Sequence, residues 1–386
     1  MSRIFLTGAT GFLGGELAVA LSKVASVNKI YCLIRATCDE EAVARVKDIF
    51  ALHGDYYDPD KVHAIRGDLR DADLPARLSC TKMLSDVDVV IHSAANTSFL
   101  SQKYPAIVET NINGTRRILS WATHLRCLNA FAYIGTASII GARGEVTGRT
   151  VYEDESPNPS ANHLVGYTRS KMCAEMAVRE AIPPEKLVVF RPSILVGDSR
   201  CLIPRSFDIA WIIVAIRHLR MFFGNPDAAC DVISVDYAAK AIVSLLMNRE
   251  RRRHTTYHVS AGAAATTCRE VLEGIDYIPS DLTYCPKEHL EPIKKWLKSG
   301  GPLCPALREY AGHLDQIRFG IGSKNARILL SGLEPYWRFI DLDQRFDNSR
   351  ILADAGIGLP EPGHVYLKRT AAFLHDIDPL RAAVNS

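Results

Sequence analysis

Tyr167 and Lys171 lie four residues apart at the start of a stretch with helical patterning, 167–181, so both side chains leave one face of the predicted helix. An ammonium beside a phenol lowers the phenol pKa toward neutrality. Such a phenol can exchange a proton with a substrate oxygen during hydride transfer. Tyr57 and Lys61 share the spacing, but Pro59 stands between them and rules out a helix there. The segment Gly135-Thr136-Ala137-Ser138-Ile139-Ile140-Gly141 closes an apolar run and brings hydroxyls to its end. Thr136 is expected to donate a hydrogen bond to a carbonyl oxygen as charge develops on it; its plainer role is a strand-end cap.

A second constellation opens the chain. Thr7-Gly8-Ala9-Thr10-Gly11-Phe12-Leu13-Gly14 follows the apolar run Ile4-Phe5-Leu6 and precedes the helix-like Glu16 to Leu21. Strand, glycine turn and helix in this order form the context of a dinucleotide site. Gly8 permits the tight turn, Gly11 lets backbone approach a diphosphate, and Gly14 lets the helix pack on the strand. The diphosphate then rests on free N–H groups at the positive end of the helix dipole. The spacing is G-x-x-G-x-x-G, which leans toward one branch of nucleotide-binding proteins. Lys171 is suited to hold the nicotinamide ribose of such a ligand.

The elements that must position these residues alternate for nearly 200 residues. Strand-like runs occur at 3–6, 29–34, 62–65, 87–91, 130–134 and 187–190, and helix-compatible segments at 16–24, 40–52, 104–125 and 167–181 separate them. This predicts an α/β fold, a doubly wound parallel sheet of the Rossmann type over residues 1–200. After residue 200 helices dominate and prolines punctuate them, with Thr256–Val259 the clearest strand. Residues 201–386 are therefore expected to form a smaller, mainly helical substrate-binding part, with sheet elements contributed again around 230–260.

Along this frame, further residues are candidates. The second strand ends in Leu33-Ile34-Arg35, where an acidic residue would bind a ribose 2′-hydroxyl; Arg35 instead suits a 2′-phosphate and favours NADPH. Asp68 and Leu69 follow the third strand, where Asp68 could accept from an adenine amino group. Ala94 and Ala95 follow His92 after the fourth strand and would let backbone run close to the nucleotide, with His92 read as structural. Asn111-Ile112-Asn113-Gly114-Thr115 lies inside a predicted helix, where the polar pair and glycine are unfavourable. A relay or packing duty is expected of them, such as a water held near Lys171.

Composition sets outer limits. The chain has 386 residues, 47% hydrophobic and 23% charged, with a formal net charge of +3. That is ordinary for a globular protein and offers no basic face for nucleic acid. The basic cluster 249–254 is read as solvated surface. Ten cysteines show no metal-ligand spacing, so no metal is expected and the thiols, Cys32 and Cys201 among them, are expected to be free in a reducing, cytoplasmic setting. The start of the chain leads straight into a strand, so no signal peptide is expected. The apolar segment 207–223 carries Asp208, Arg217, His218 and Arg220, so no transmembrane span is expected.

Taken as an ordered set, Thr7 to Gly14, Asp68-Leu69, His92 to Ala95, Asn111 to Thr115, Thr136, and Tyr167 with Lys171 resemble an extended short-chain dehydrogenase/reductase over roughly residues 1–270. The resemblance implies Thr136, Tyr167 and Lys171 as catalytic triad, with Tyr167 the general acid. Leu33-Ile34-Arg35, Gly135 to Ala137 and Arg191 to Ser199 resemble the narrower fatty acyl-CoA reductase and thioester reductase branch. That likeness implies NADPH-dependent reduction of an acyl thioester to an aldehyde, with continuation to the alcohol in some members. It also places Pro192 and Ser193 at the nicotinamide pocket. The thioester would arrive on CoA or on a separate carrier protein. The helix around 210–216 could line an acyl channel, although its apolar stripe reads more simply as core. Two alternatives stand beside this: an extended reductase, epimerase or dehydratase acting on a ketone or nucleotide sugar, and a non-catalytic NADP-sensing regulator.

Overall fold

The computed structural model describes residues 1–141, 147–200, 209–275 and 278–385. Cys201, Pro204 and the first two residues of the apolar segment 207–223 lie outside them. The main sheet has seven parallel strands: β1 (Ser2–Thr7), β2 (Val27–Ile34), β3 (Val62–Arg66), β4 (Val89–His92), β5 (Ala130–Ile134), β6 (Leu187–Pro192) and β7 (Thr256–Val259). Their spatial order is β7-β6-β5-β4-β1-β2-β3. The order reverses between β1 and β4, and ligands of open α/β sheets bind beyond the strand ends at that point.

Alternation along β1 explains why both faces are covered. Ile4 and Leu6 are fully buried on one face, against α1 (Phe12–Ser22) and α6 (Val235–Met247). Phe5 is buried on the other, with its ring 4.5 Å from Trp121 of α3 (Gly114–Ala122). Each such side chain contributes about 1.5–3 kcal/mol by leaving water. Phe5→Ala would open a cavity in the layer and cost about 3–5 kcal/mol.

A separate apolar cluster forms the helical part. It joins α5 (Trp211–Leu219), α7 (Ser323–Ile340) and the helix Leu290–Ser299. Short strand pairs hold it together, among them Met221–Phe223 with Thr283–Cys285. The late chain also returns to the sheet: Ile351 and Ala355 pack in the β1 core, and Tyr257 donates to Asp354 at 2.8 Å. The expected helix 104–125 is not uniform. Residues Glu109–Asn113 form a π-helical turn between Tyr104–Val108 and α3, a distortion frequent at functional sites.

Candidate functional site

The glycine loop sits at the reversal point. Gly8 adopts φ +76°, and a Cβ there would lie 2.9 Å from the Cα of Ala94, so the turn and the β4 loop are in direct contact. A Cβ on Gly14 would lie 2.0 Å from the Gly8 carbonyl oxygen; only a bare α-carbon lets α1 start so close to the turn. Gly11 precedes α1 without a capping side chain, and its first turn carries no acidic residue. The first amides are thus left for an anion. By contrast, the first turn of α2 (Asp39–Leu52) holds Asp39, Glu40 and Glu41. Thr10 and Phe12 are partly exposed at the rim and Gly11 is exposed, whereas the Leu13 side chain is in the core. Leu13 can therefore reach a ligand through its amide. This cradle fits a dinucleotide.

Thr7 and His92 face each other in register on β1 and β4. The Thr7 hydroxyl lies 2.8 Å from His92 Nδ1 and accepts from the Ala94 amide at 3.1 Å. On the other side His92 Nε2 lies 2.9 Å from the Thr115 hydroxyl, which donates to the Asn111 carbonyl at 2.6 Å. These partners assign the tautomer: Nε2 carries the proton and Nδ1 accepts from Thr7. Burial pushes His92 down to about 3, so the ring is neutral. Asn111 continues the chain. Its side chain clasps Asn96, accepting from the amide at 2.7 Å and donating to the carbonyl at 3.0 Å, and it donates to Ser170 Oγ at 2.8 Å. Ser170 donates to the Tyr167 carbonyl at 2.6 Å. Asn111 thus ties the Asn96 loop to the helix that carries Tyr167. Gly114 packs tightly, since a Cβ there would lie 2.9 Å from Leu69 Cβ.

Tyr167 is the second residue of α4 (Gly166–Ala181), and Lys171 follows one turn later. The expected lowering of the phenol by the lysine is not what the geometry produces. Burial pushes Tyr167 up to about 12 and Lys171 down to about 7. Lys171 Nζ donates to the Ile134 carbonyl at 2.5 Å and lies 4.5 Å from the centre of the Tyr133 ring. The ammonium is drawn toward the end of β5, and desolvation decides both groups. Tyr167 is therefore a protonated phenol at neutral pH. Thr136 caps the short turn Ala137–Ile140, accepting from the Ser138 amide at 3.4 Å. That use of its oxygen leaves its own proton to donate.

A buried ion pair fixes α4 to the sheet. Arg191, on β6, donates to Glu175 at 2.7 and 3.2 Å and to the Glu155 carbonyl at 2.9 Å. Pro192 ends that strand, and the Ser193 amide donates to the Val259 carbonyl at 3.0 Å. Both therefore stand at the C-terminal ends of the sheet strands. Sequence reasoning passed over Ser170, Asn96, Glu175 and Tyr133, whose partners are far away along the chain.

At the nucleotide end, Arg35 is exposed just beyond β2. Asp68 is held by Arg70, which donates to it at 2.7 Å, and this contact lowers its pKa. Arg70 thus competes for the oxygens expected to face an adenine. Ala95 is partly buried beside Ala94. The residues of α5 expected as a possible acyl channel are mostly core: Val214, Ala215 and Ile216 are buried in the helical cluster. Trp211, at the start of that helix, meets the ring of Tyr336 edge-on at 5.8 Å. Nine described cysteines are free thiols. No described helix is long and apolar enough to cross a membrane.

Residues 6–242 match the NAD-binding family described as Male sterility protein. Among curated relatives, a linear gramicidin synthase of Brevibacillus parabrevis is 29% identical over 66% of this chain and 5% of its own length. Fatty acyl-CoA reductase wat of Drosophila melanogaster is 26% identical over 71% of this chain and 60% of its own. The non-canonical nonribosomal peptide synthetase cpsA of Aspergillus campestris is 30% identical over 63% of this chain and 24% of its own. The chain therefore spans from a twentieth to three fifths of these relatives. Among solved structures, the terminal R domain of the myxalamid PKS-NRPS pathway aligns with TM-score 0.71 and 24% identity, covering 97% of this chain and 91% of that one. UDP-glucuronic acid 4-epimerase from Bacillus cereus, in complex with NAD, aligns with TM-score 0.61 and 19% identity, covering 97% and 98%. These two likenesses establish a shared fold. The match across residues 6–242 shows that the chain belongs to the Male sterility protein family, the fatty acyl-CoA reductase and thioester reductase branch of the extended short-chain dehydrogenases/reductases.

Proposed function

We propose that the protein is an NADPH-dependent reductase of acyl thioesters, releasing an aldehyde and the free thiol. The observation that carries this reading is the hydrogen-bond chain from Thr7 through His92, Thr115, Asn111 and Ser170 to the Tyr167 backbone. It ties the dinucleotide cradle and the protonated phenol into one unit. Thr7, Gly8, Thr10, Gly11, Phe12, Leu13 and Gly14 would hold the diphosphate, Arg35 the 2′-phosphate, and Asp68, Leu69, Ala94, Ala95 and Asn111 the adenosine side. Lys171, Pro192 and Ser193 would border the nicotinamide riboside.

NADPH, when bound there, would supply a hydride to the thioester carbonyl carbon. Negative charge then develops on the carbonyl oxygen. Tyr167 gives its proton to that oxygen, and the Thr136 hydroxyl donates a hydrogen bond to it. The hemithioacetal collapses: its C–S bond breaks, the C=O bond reforms, the hydroxyl proton returns to the Tyr167 phenolate, and the departing thiolate takes a proton from solvent. The thiol is that of CoA or of a carrier-protein arm, and the free cysteines fit a cytoplasmic setting.

The test is NADPH consumption against acyl-CoA and carrier-bound acyl thioesters, with product analysis. Aldehyde and free thiol in equal amounts support the reading. A strong preference for NADH, or turnover of ketones alone, points to another extended reductase instead.

A further inference from the structure

Two cysteines that the reduction does not use stand together where the helical part meets the sheet. Ala229–Cys230 pairs antiparallel with Thr266–Thr267, with Ala229 opposite Thr267 and Cys230 opposite Thr266. The Cys268 amide continues this ladder to the Ala228 carbonyl at 3.1 Å. Cys268, two residues past Thr266, is therefore the diagonal neighbour of Cys230 on one face of the pair. The two thiols are hydrogen-bonded to each other. Cys230 is partly exposed, whereas Cys268 is buried in the helical cluster and opens the helix Cys268–Gly274. On the sheet side, Asp231 next to Cys230 accepts from the Ala261 amide, just past β7, at 2.7 Å. The backbone is held on both strands. The Ala229 amide donates to Asp343 at 2.7 Å, the Arg269 amide donates to the Pro226 carbonyl at 2.8 Å, and the Arg269 guanidinium meets Asp227 at 2.8 Å.

We infer that Cys230 and Cys268 are a redox modification site, which closes to a disulfide when a small disulfide such as glutathione disulfide reaches Cys230. The Cys230 sulfur attacks one sulfur of glutathione disulfide and expels one glutathione thiolate. The Cys268 sulfur then attacks Cys230 Sγ and expels the second. Two cysteine thiols are oxidised to one disulfide, and glutathione disulfide is reduced to two thiols that take up the two cysteine protons. Cys230 is the entry point because solvent reaches it. Cys268 resolves the mixed disulfide from within and needs no access of its own. The Cys230 contact and burial hold the Cys268 thiol well above its usual range, so it rests protonated and does not react first. Closure asks only that two sulfurs already in contact move to bonding distance. The bridge closes a loop over residues 231–267 and so restricts the unfolded chain. It is independent of which substrate the protein reduces.

In the test, the folded full chain is equilibrated with mixtures of glutathione and glutathione disulfide, blocked with N-ethylmaleimide and digested with trypsin. Cys230 and Cys268 each lie alone on a tryptic peptide, 221–240 and 254–269. A species joining these two peptides, lighter than their sum by two hydrogens, is expected to grow with the glutathione disulfide fraction and to vanish with dithiothreitol. The exposed Cys38, Cys80, Cys127 and Cys304 should carry at most single glutathiones in the same sample. The bridged protein should melt about 5 °C above the reduced one. Cys268→Ser should leave Cys230 as a mixed disulfide with glutathione, Cys230→Ser should leave Cys268 unmodified, and both should abolish the Tm shift. If a serine variant does not fold by circular dichroism, the wild-type peptide map decides alone. Absence of the joined peptide at every ratio, up to glutathione disulfide alone, overturns the inference. So does a bridge from either cysteine to another thiol, or a Tm shift that survives both serine variants.

Discussion

The side-chain nitrogen of Lys171 is bonded to the carbonyl of Ile134, 2.5 Å away at the end of β5, and not to the phenol of Tyr167. The lysine is buried with its pKa brought down to about 7. The unfolded chain keeps this proton up to about 10.5. Between the two values the unfolded state binds more protons, so the contribution of Lys171 to stability grows as pH rises through that window. Lys171→Met removes the dependence. Its Tm relative to wild type is expected to be most favourable below pH 7 and to lose that advantage steadily toward pH 10. Thermal scans across pH check this; parallel curves would mean that Lys171 is not desolvated in the folded state.

Tyr167 is a neutral phenol throughout the physiological range, since burial raises it to about 12. Tyr167→Phe should lower kcat/KM for reduction by about 10²–10⁴-fold, the range of a lost general acid, with NADPH affinity within about twofold. Undiminished turnover would remove Tyr167 from the chemistry.

Arg35 is exposed beyond β2 where a 2′-phosphate would sit. Arg35→Ala should weaken NADPH by about 1.5–3 kcal/mol, the range for hydrogen bonds to a charged group, and leave NADH almost untouched. Titration of both cofactors by fluorescence decides it; equal losses for the two would place the 2′-phosphate elsewhere.

Gly14→Ala puts a carbon where only 2.0 Å separates it from the Gly8 carbonyl oxygen. Because that contact is backbone, relief requires the turn to open. Dinucleotide binding should be lost, with a lower Tm but preserved helix content by circular dichroism. Retained NADPH affinity in a folded Gly14→Ala protein would contradict the geometry of the loop.

His92 is held neutral down to about 3 by burial between Thr7 and Thr115. The unfolded ring takes up a proton near 6.5, so its contribution to stability is lost as pH falls from about 6.5 toward 3. His92→Gln should be less stable at pH 7 yet lose stability less steeply between pH 6.5 and 4. Denaturant unfolding at several pH values measures both slopes.

The sheet was legible because its signals are local. Ile4-Phe5-Leu6 alternates between two buried faces, and the glycines recur at a spacing that only a turn into a helix needs. The strand Thr256–Val259 was visible, but its place as the seventh strand beside β6 was not, since parallel pairing joins segments distant along the chain. The π-helical turn at Glu109–Asn113 left a trace in the awkward Asn-Ile-Asn-Gly run, and its purpose, holding Asn96 and Ser170, left none.

By itself the sequence marked the residues proposed here to carry chemistry: the turn at Thr7 to Gly14, the four-residue step from Tyr167 to Lys171, and the guanidinium of Arg35. Those follow from helix periodicity and side-chain type, which act over a few residues. The tertiary structure alone decided what state these groups are in and what surrounds them. Burial, not the neighbouring lysine, governs Tyr167, because desolvation depends on every element packed around a group. The Lys171 ammonium goes to a carbonyl on β5, and Phe99 meets Tyr336 from the far end of the chain, because contact in space is made by layers closing on each other.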